Sequence, residues 1–222
     1  MSAQNIVRHA MLLAAGRGER MRPLTDETPK ALLPVRGKPL IVHHLEALAH
    51  SGVREVVINL AWLGERIRAA LGDGRAWGLT IRYSDEAPQA LETGGGVFQA
   101  LPWLGSGPFL VVNGDVYTDF QFASLHIAAD AWAQLLLVPN PLHNREGDFA
   151  LEHGRVHEQG QPRWTYSGIG LYRPEFFQGC EPGRFPLRPL LRRAMAAGRL
   201  RGQLYRGAWS DVGTPERLAA LG

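Results

Sequence analysis

An apolar run, Met11 to Ala15, stops abruptly at Gly16-Arg17-Gly18 and passes into a basic, proline-punctuated stretch; no other segment restricts the fold as strongly. A short apolar run bounded by turn residues predicts a buried strand. Glycines at its end let backbone N–H groups approach an anion closely, and the Arg20, Arg22 and Lys30 that follow carry the guanidinium and ammonium groups that neutralise phosphate oxygens. The segment predicts a triphosphate site at the end of a strand. The chain has 24 lysines and arginines, and only Lys30 and Lys38 are lysines. A lysine on this loop therefore selects a point charge over a planar fork.

Two familiar phosphate motifs fail on spacing. A Walker A loop needs Gly-Lys-Ser/Thr after its first glycine, and none follows Gly16 or Gly18. A dinucleotide fingerprint needs a third glycine where Met21 stands, which argues against an NAD-binding oxidoreductase.

Strand-like runs at 9–14, 54–60, 79–83 and 108–113 alternate with helix-like stretches at 40–50, 63–71 and 95–101. Such alternation predicts an α/β fold with a parallel sheet covered by helices on both faces, its ligands lying beyond the carboxyl ends of the strands. The Gly16 turn and Asn113-Gly114-Asp115 both fall at such ends. The second half changes character, with strands at 133–138, 148–152 and 165–172 linked by polar segments and followed by a helix at 187–197. It reads as an appended subregion of one domain spanning 1–222. No hexapeptide repeat or low-complexity tract is present.

A 222-residue chain that is 45% hydrophobic can bury a sizeable core. No stretch has 18 uninterrupted apolar residues, and the start MSAQNIVRHA lacks a hydrophobic signal region, so a cytoplasmic protein without a membrane role is expected. A single cysteine, Cys180, excludes an internal disulfide framework. A net charge of +3 with dispersed basic residues gives no footprint for nucleic acid. No heptad or long apolar edge speaks for an oligomeric state.

Two carboxylates stand at turns. Asp115 ends the apolar run from Phe109, and Asp211 lies in Trp209-Ser210-Asp211-Val212-Gly213-Thr214-Pro215, ahead of a helix at 214–221. Two carboxylates plus substrate phosphates suit Mg²⁺, which keeps several waters and rarely takes a full protein cage.

The segment Leu13-Ala14-Ala15-Gly16-Arg17-Gly18-Glu19-Arg20-Met21-Arg22-Pro23-Leu24-Thr25, followed by Pro29-Lys30-Ala31-Leu32-Leu33-Pro34, resembles the signature of the sugar-1-phosphate nucleotidylyltransferases. The resemblance implies the nucleotide-diphospho-sugar transferase fold, a Rossmann-like, mostly parallel sheet with a small appended β subregion. Residues from about 8 to 130 would form the nucleotide half and those from about 131 to 222 the sugar half. It implies nucleotidyl transfer from a nucleoside triphosphate to a sugar 1-phosphate, with Asp115 and Asp211 holding the catalytic Mg²⁺ and Arg20 and Lys30 acting on the phosphates. Ala14, Ala15, Gly16, Arg17, Gly18, Glu92 and Gly94 would contact the nucleotide. Asn113, Asn140, Asp148, Ser167 and Gly168 are the candidates on the sugar side.

The Glu92-Thr93-Gly94-Gly95-Gly96 stretch reads either as a turn packing against the base or as a glycine loop with Thr93 as a helix N-cap. Asn140 and Asp148 read equally as turn and surface residues. The combination of this stretch with Asn113-Gly114-Asp115-Val116-Tyr117-Thr118-Asp119, Gly147-Asp148-Phe149 and Trp209-Ser210-Asp211-Val212-Gly213-Thr214 is most similar to the uridylyltransferases of bacterial cell-wall recycling, making UTP the expected donor. The chain departs from the family pattern at Glu19 and Glu92. It also has Glu158-Gln159-Gly160-Gln161 where many relatives carry a Glu-Lys-Pro whose lysine meets the sugar phosphate, which leaves Arg163, Arg145 or the metal to replace it. Other pairings stay open: glucose, mannose or heptose 1-phosphate with UTP, dTTP or GTP, or phosphocholine with CTP. A non-catalytic nucleotide-sugar sensor would be expected to have lost an aspartate, Arg20 or Lys30, and all are present.

Overall fold

The computed structural model describes residues 7–86 and 88–222; the opening residues read as lacking a signal region lie outside them up to residue 6. In chain order the strands are β1 (His9–Leu13), β2 (Pro34–Val35), β3 (Lys38–Pro39), β4 (Glu55–Leu60), β5 (Thr80–Asp85), β6 (Phe109–Asn113), β7 (Val116–Thr118), β8 (Ala133–Val138), β9 (Phe149–Glu152), β10 (Arg155–His157), β11 (Arg163–Tyr172), β12 (Leu200–Leu204) and β13 (Trp209–Asp211). The helices are α1 (Leu24–Glu27), α2 (Leu40–His50), α3 (Gly64–Leu71), α4 (Glu92–Ala100), α5 (Arg188–Ala196) and α6 (Pro215–Ala219).

One nine-stranded sheet runs β5-β4-β1-β6-β11-β8-β12-β10-β9. Its first four strands are parallel, as the strand–helix alternation predicts. Their unbroken apolar character follows from burial on both faces. Successive residues of β1 enter opposite cores: Ala10 and Leu12 pack with Ile41, Leu45 and Ile67 from α2 and α3, whereas Met11 packs with Val97 and Leu191 from α4 and α5.

The second half is joined edge to edge to this sheet. β11 pairs antiparallel with β6, from Tyr172↔Phe109 to Ile169↔Val112, and β8 and β12 extend it. The sheet is therefore parallel from β5 to β6 and mixed beyond β6. Sequence reading missed β10 and β12 because Arg155-Val156-His157 and Leu200-Arg201-Gly202-Gln203-Leu204 are short and polar. No helix among the described residues is long and apolar enough to cross a membrane.

His44 is a polar intruder in the buried face of α2, near the Phe122 ring. Burial lowers its pKa from 6.5 to about 4, opposed by a backbone hydrogen bond at Val116 and by Asp115, and assisted by His43. Below pH 6.5 the unfolded chain takes up a proton that the fold refuses. Stability should thus fall as pH drops from 6.5 toward 4, with His44 contributing a loss of about 2 kcal/mol by about pH 5. Urea denaturation of wild type and His44→Leu at neutral and mildly acidic pH measures this. An unchanged pH slope in the variant would show that His44 is not its source.

Candidate active site

The turn after β1 is built around Gly18, whose φ of 68° lies in the left-handed region that glycine enters without strain. Its carbonyl accepts from the Thr25 hydroxyl (2.8 Å) and from Met21 N–H (2.9 Å), which folds the basic stretch back on itself. The bare Cα also makes room for Lys30: a Cβ at position 18 would lie 3.2 Å from Cβ and 3.3 Å from Cδ of that side chain. Lys30 follows Pro29 in a short 3₁₀ turn, whose Ala31 is buried. Its ammonium donates to Asp115 Oδ2 at 2.5 Å.

Asp115 comes from the turn that follows β6. Gly114 N–H donates to the Leu13 carbonyl at 2.9 Å, tying this turn to the end of β1. β7 then pairs antiparallel with β13, placing Asp211 opposite Val116, and Val212 N–H donates to the Asp115 carbonyl at 2.7 Å. Two aspartates far apart in the chain thus stand on adjoining backbones. Asp211 accepts from Arg217 of α6 through both oxygens, at 2.8 and 2.9 Å, and its Oδ1 lies 3.1 Å from His143 Nε2. Among the described residues no cluster of three or more His, Cys, Asp or Glu side chains is poised for a metal. Two carboxylates are nonetheless the protein donor set that suits Mg²⁺ when phosphate oxygens and waters complete its shell.

These groups border two adjoining clefts. The larger, about 590 Å³, runs from Gly16, Gly18, Arg20, Lys30 and Asp115 at its basic end to Asn59, Glu86, Glu92 and Thr93 at the other. The second, about 520 Å³, is bounded by Arg20, residues 141–143, Trp209, Asp211 and Arg217. Arg20 belongs to both.

At the far end of the larger cleft a polar chain is fixed in place. Ala14 N–H donates to Asn59 Oδ1, Asn59 Nδ2 to Glu86 Oε1, and Leu91 N–H to Glu86 Oε2, each at 2.7 Å. Burial pushes the Glu86 carboxyl above its ordinary pKa, and the two donors work against that rise.

Of the residues singled out from sequence, Ala14, Ala15, Gly16, Gly18, Arg20, Lys30, Glu92, Asn113 and Asp115 border the larger cleft and Asp211 the second. Others stand elsewhere. The Arg17 guanidinium lies over the Trp62 ring, 4.0 Å from its centroid, rather than in the cleft. The amide of Ala14, a residue expected to contact the nucleotide, is taken by Asn59.

The glycine triplet lies in a helix and not in a loop, and Thr93 is not its N-cap, although Glu92 and Thr93 border the larger cleft. Gly94, Gly95 and Gly96 are buried in the first turns of α4, whose cap is Leu91, because the helix packs too tightly for side chains. A Cβ would lie 2.6 Å from the Phe185 ring at Gly94 and 2.2 Å from the Gly183 carbonyl oxygen at Gly95. Gly95→Ala should therefore cost about 1–3 kcal/mol and lower Tm by several degrees, read by calorimetry. An unchanged Tm would show that this packing yields freely.

Asn113 apart, the sugar-side candidates hold structure and border neither of these clefts. Asn140 donates to the Arg145 and Arg163 carbonyls and accepts from Thr165 Oγ1. Asp148 Oδ2 accepts from Tyr166 N–H and Asn144 Nδ2. Ser167 Oγ donates to the Leu136 carbonyl at 2.7 Å. Gly168, at a bulge in β11, packs against the Asn113 side chain. Arg163 donates to four backbone carbonyls, Glu146, Gly147, Asp148 and Glu158, so it is no free cation for a phosphate. Arg145 is exposed and borders neither cleft.

Sequence reading missed Asn59, Glu86, His143 and Arg217. Asn59 carried a signal, as a lone amide near the end of an apolar strand level with Asn113; the register aligns both with Leu13.

Comparison with known proteins agrees with this geometry. The nucleotidyl transferase family profile matches residues 9–147. The N-acetylmuramate alpha-1-phosphate uridylyltransferase of Neisseria meningitidis is 53% identical, over 94% of this chain and 94% of that protein. Its namesake from Caulobacter vibrioides is 38% identical, over 95% and 94% respectively. A solved structure of the inositol-1-phosphate CTP transferase from T. maritima superposes with a TM-score of 0.77 over 99% of this chain and 98% of that one; at 17% identity it speaks for the fold alone. Signature, sheet topology and full-length relatives agree, and the chain belongs to the nucleotidyl transferase family.

Proposed function

We propose that the protein transfers a uridylyl group from UTP to N-acetylmuramic acid 1-phosphate, releasing pyrophosphate and forming UDP-N-acetylmuramic acid, a step of cell-wall recycling in the cytoplasm. The observation that carries the reaction type is the meeting of the Gly16–Gly18 turn, Arg20, the Lys30–Asp115 pair and the Asp211 turn at the junction of two clefts. The names of the two uridylyltransferases that match nearly full length support UTP and the muramyl acceptor.

A phosphate oxygen of the acceptor attacks the α-phosphorus in line, a new P–O bond forms, and the bond to the β-phosphate breaks. The nucleophile is already anionic, so no general base is needed, and catalysis reduces to positioning and charge neutralisation. The Gly16–Gly18 turn and Arg20 take the leaving β- and γ-phosphates. Lys30 faces the α-phosphate, where charge builds in the transition state. The α-phosphate competes with Asp115 for Lys30, so substrate binding exchanges this internal ion pair for a phosphate contact and frees the Asp115 carboxylate. Asp115 and Asp211 would hold Mg²⁺, which would supply further neutralisation of phosphate charge. The Asn59–Glu86 end of the larger cleft accommodates the base.

The test is a panel of triphosphates against sugar 1-phosphates with pyrophosphate release as the readout. UTP with N-acetylmuramic acid 1-phosphate should turn over fastest, and only with Mg²⁺. Faster turnover of glucose or mannose 1-phosphate would overturn the acceptor; failure of every pair to release pyrophosphate would overturn the reaction.

A further inference from the structure

The two clefts share Arg20; beside it Gly213 lines the larger one, and the reason for a glycine there is a pair of arginines. A Cβ on Gly213 would lie 2.1 Å from an Arg217 guanidinium nitrogen and 3.3 Å from one of Arg20. Guanidinium groups from the amino-terminal loop and from α6 therefore flank one bare Cα. Arg217 donates to both Asp211 oxygens and touches His143, whereas Arg20 forms no ion pair among the described residues. Two like charges so close repel, and a single carboxylate offsets only one of them. Asp211 is also the carboxylate assigned above to the metal, which would draw it from Arg217. The charge balance calls for a further anion on the Arg217 side.

The second cleft has the size and walls for a sugar that carries one. It offers about 520 Å³, enough for a substituted hexose, with Trp209 as an aromatic wall. Trp209 is anchored by its indole N–H on the Ser167 carbonyl at 3.0 Å. Leu142, 83% exposed, forms an apolar lip. Arg163 is held by backbone carbonyls, so Arg20 and Arg217 are the fixed positive charges in this cleft.

We propose that Arg217 binds an acid group of the acceptor sugar phosphate in this cleft. The shared chemistry is an anionic oxygen pair facing a guanidinium fork, supplied either by the 1-phosphate or by the carboxylate of the muramyl lactyl ether. This rests on the sugar-phosphate transfer proposed above. The role is acceptor binding, distinct from fixing Asp211 for the metal.

Arg217→Ala, Arg217→Gln and Arg217→Lys separate these roles. N-acetylmuramic acid 1-phosphate and N-acetylglucosamine 1-phosphate, which lacks the lactyl group, serve as acceptors. Acceptor KM, UTP KM and the Mg²⁺ dependence are measured, together with calorimetric acceptor binding in the presence of a non-hydrolysable UTP analogue. Loss of one charge-assisted contact should raise acceptor KM and Kd by at least about tenfold in the Ala and Gln variants, with partial recovery in Lys. UTP KM and the Mg²⁺ midpoint should stay within about twofold of wild type. An equal loss for both acceptors places the 1-phosphate on Arg217, and a loss confined to the muramyl acceptor places the lactyl carboxylate there. Unchanged acceptor Kd, or a shifted Mg²⁺ midpoint with unchanged acceptor KM, overturns the proposal. Should wild type prefer another sugar 1-phosphate, the muramyl assignment falls, and the same variants measured with that acceptor still decide the role of Arg217.

Discussion

Lys30→Ala is expected to lower kcat/KM by at least about two orders of magnitude, equivalent to about 3–4 kcal/mol of lost transition-state stabilisation, while the protein stays folded. The two effects separate because the backbone at Lys30 is fixed by other residues. Ala31 packs in the same core as Ile41 and Leu45, and Leu33 in a small cluster with Met21 and Leu40. The Lys30 side chain is only 13% exposed and its ammonium reaches Asp115 across the mouth of the sheet, so it is held where charge would develop. Truncation leaves Asp115 without that partner. At 38% exposure this carboxylate is solvated by water, and the cost in stability should stay near or below about 1 kcal/mol. Lys30→Arg is not a conservative rescue, since a planar fork cannot replace a compact ammonium beside Gly18 and Thr25. Steady-state kinetics with a melting curve on the same sample checks both parts. Turnover within about threefold of wild type would remove Lys30 from the mechanism.

The sequence made one layer of this site legible and hid another. Contiguous chemistry was visible: the apolar run into Gly16-Arg17-Gly18, the strand that ends at Asp115, and the turn around Asp211. The first two announce themselves by a break in hydrophobic pattern at a predicted strand end, the third by small residues and proline ahead of a predicted helix. Contacts between segments were not visible. The β7–β13 ladder that sets Asp211 beside Asp115 has three short registered pairs, too little patterning to read from either segment alone. Arg217 looked like an ordinary helix residue until α6 turned it toward Asp211.

The misreadings share a cause, because small and polar residues serve packing as often as ligands. Gly94-Gly95-Gly96 suggested a base-binding turn, yet the glycines answer to Phe185, Gly183 and Glu86 pressed against α4. Asn140, Asp148 and Ser167 suggested sugar contacts, yet Asn140 and Asp148 tie the segment carrying residues 141–143 to β11, and Ser167 ties β11 to β8. Burial and hydrogen-bond partners decide such cases, and neither is a property of the sequence alone.

Asp115→Asn and Asp211→Asn should each reduce Mg²⁺-supported turnover by about three orders of magnitude or more, since an ion held by two protein carboxylates contributes several kcal/mol to the transition state. The substitution preserves shape but replaces one carboxylate oxygen with an NH₂ group. At position 211 that group meets the Arg217 guanidinium, two donors facing each other, so this variant weakens both the proposed metal site and the grip on Arg217. At position 115 the amide oxygen can still accept from Lys30, and the defect falls mainly on the metal. Mn²⁺ titration followed by electron paramagnetic resonance, in the presence of UTP and without acceptor, reads the metal independently of turnover. Weakened Mn²⁺ binding in both variants, with a disturbed acceptor KM only at 211, is the pattern expected from two aspartates on adjoining backbones that serve one cation from different clefts. If either variant keeps more than about a tenth of wild-type turnover at saturating Mg²⁺, its carboxylate does not hold the catalytic ion.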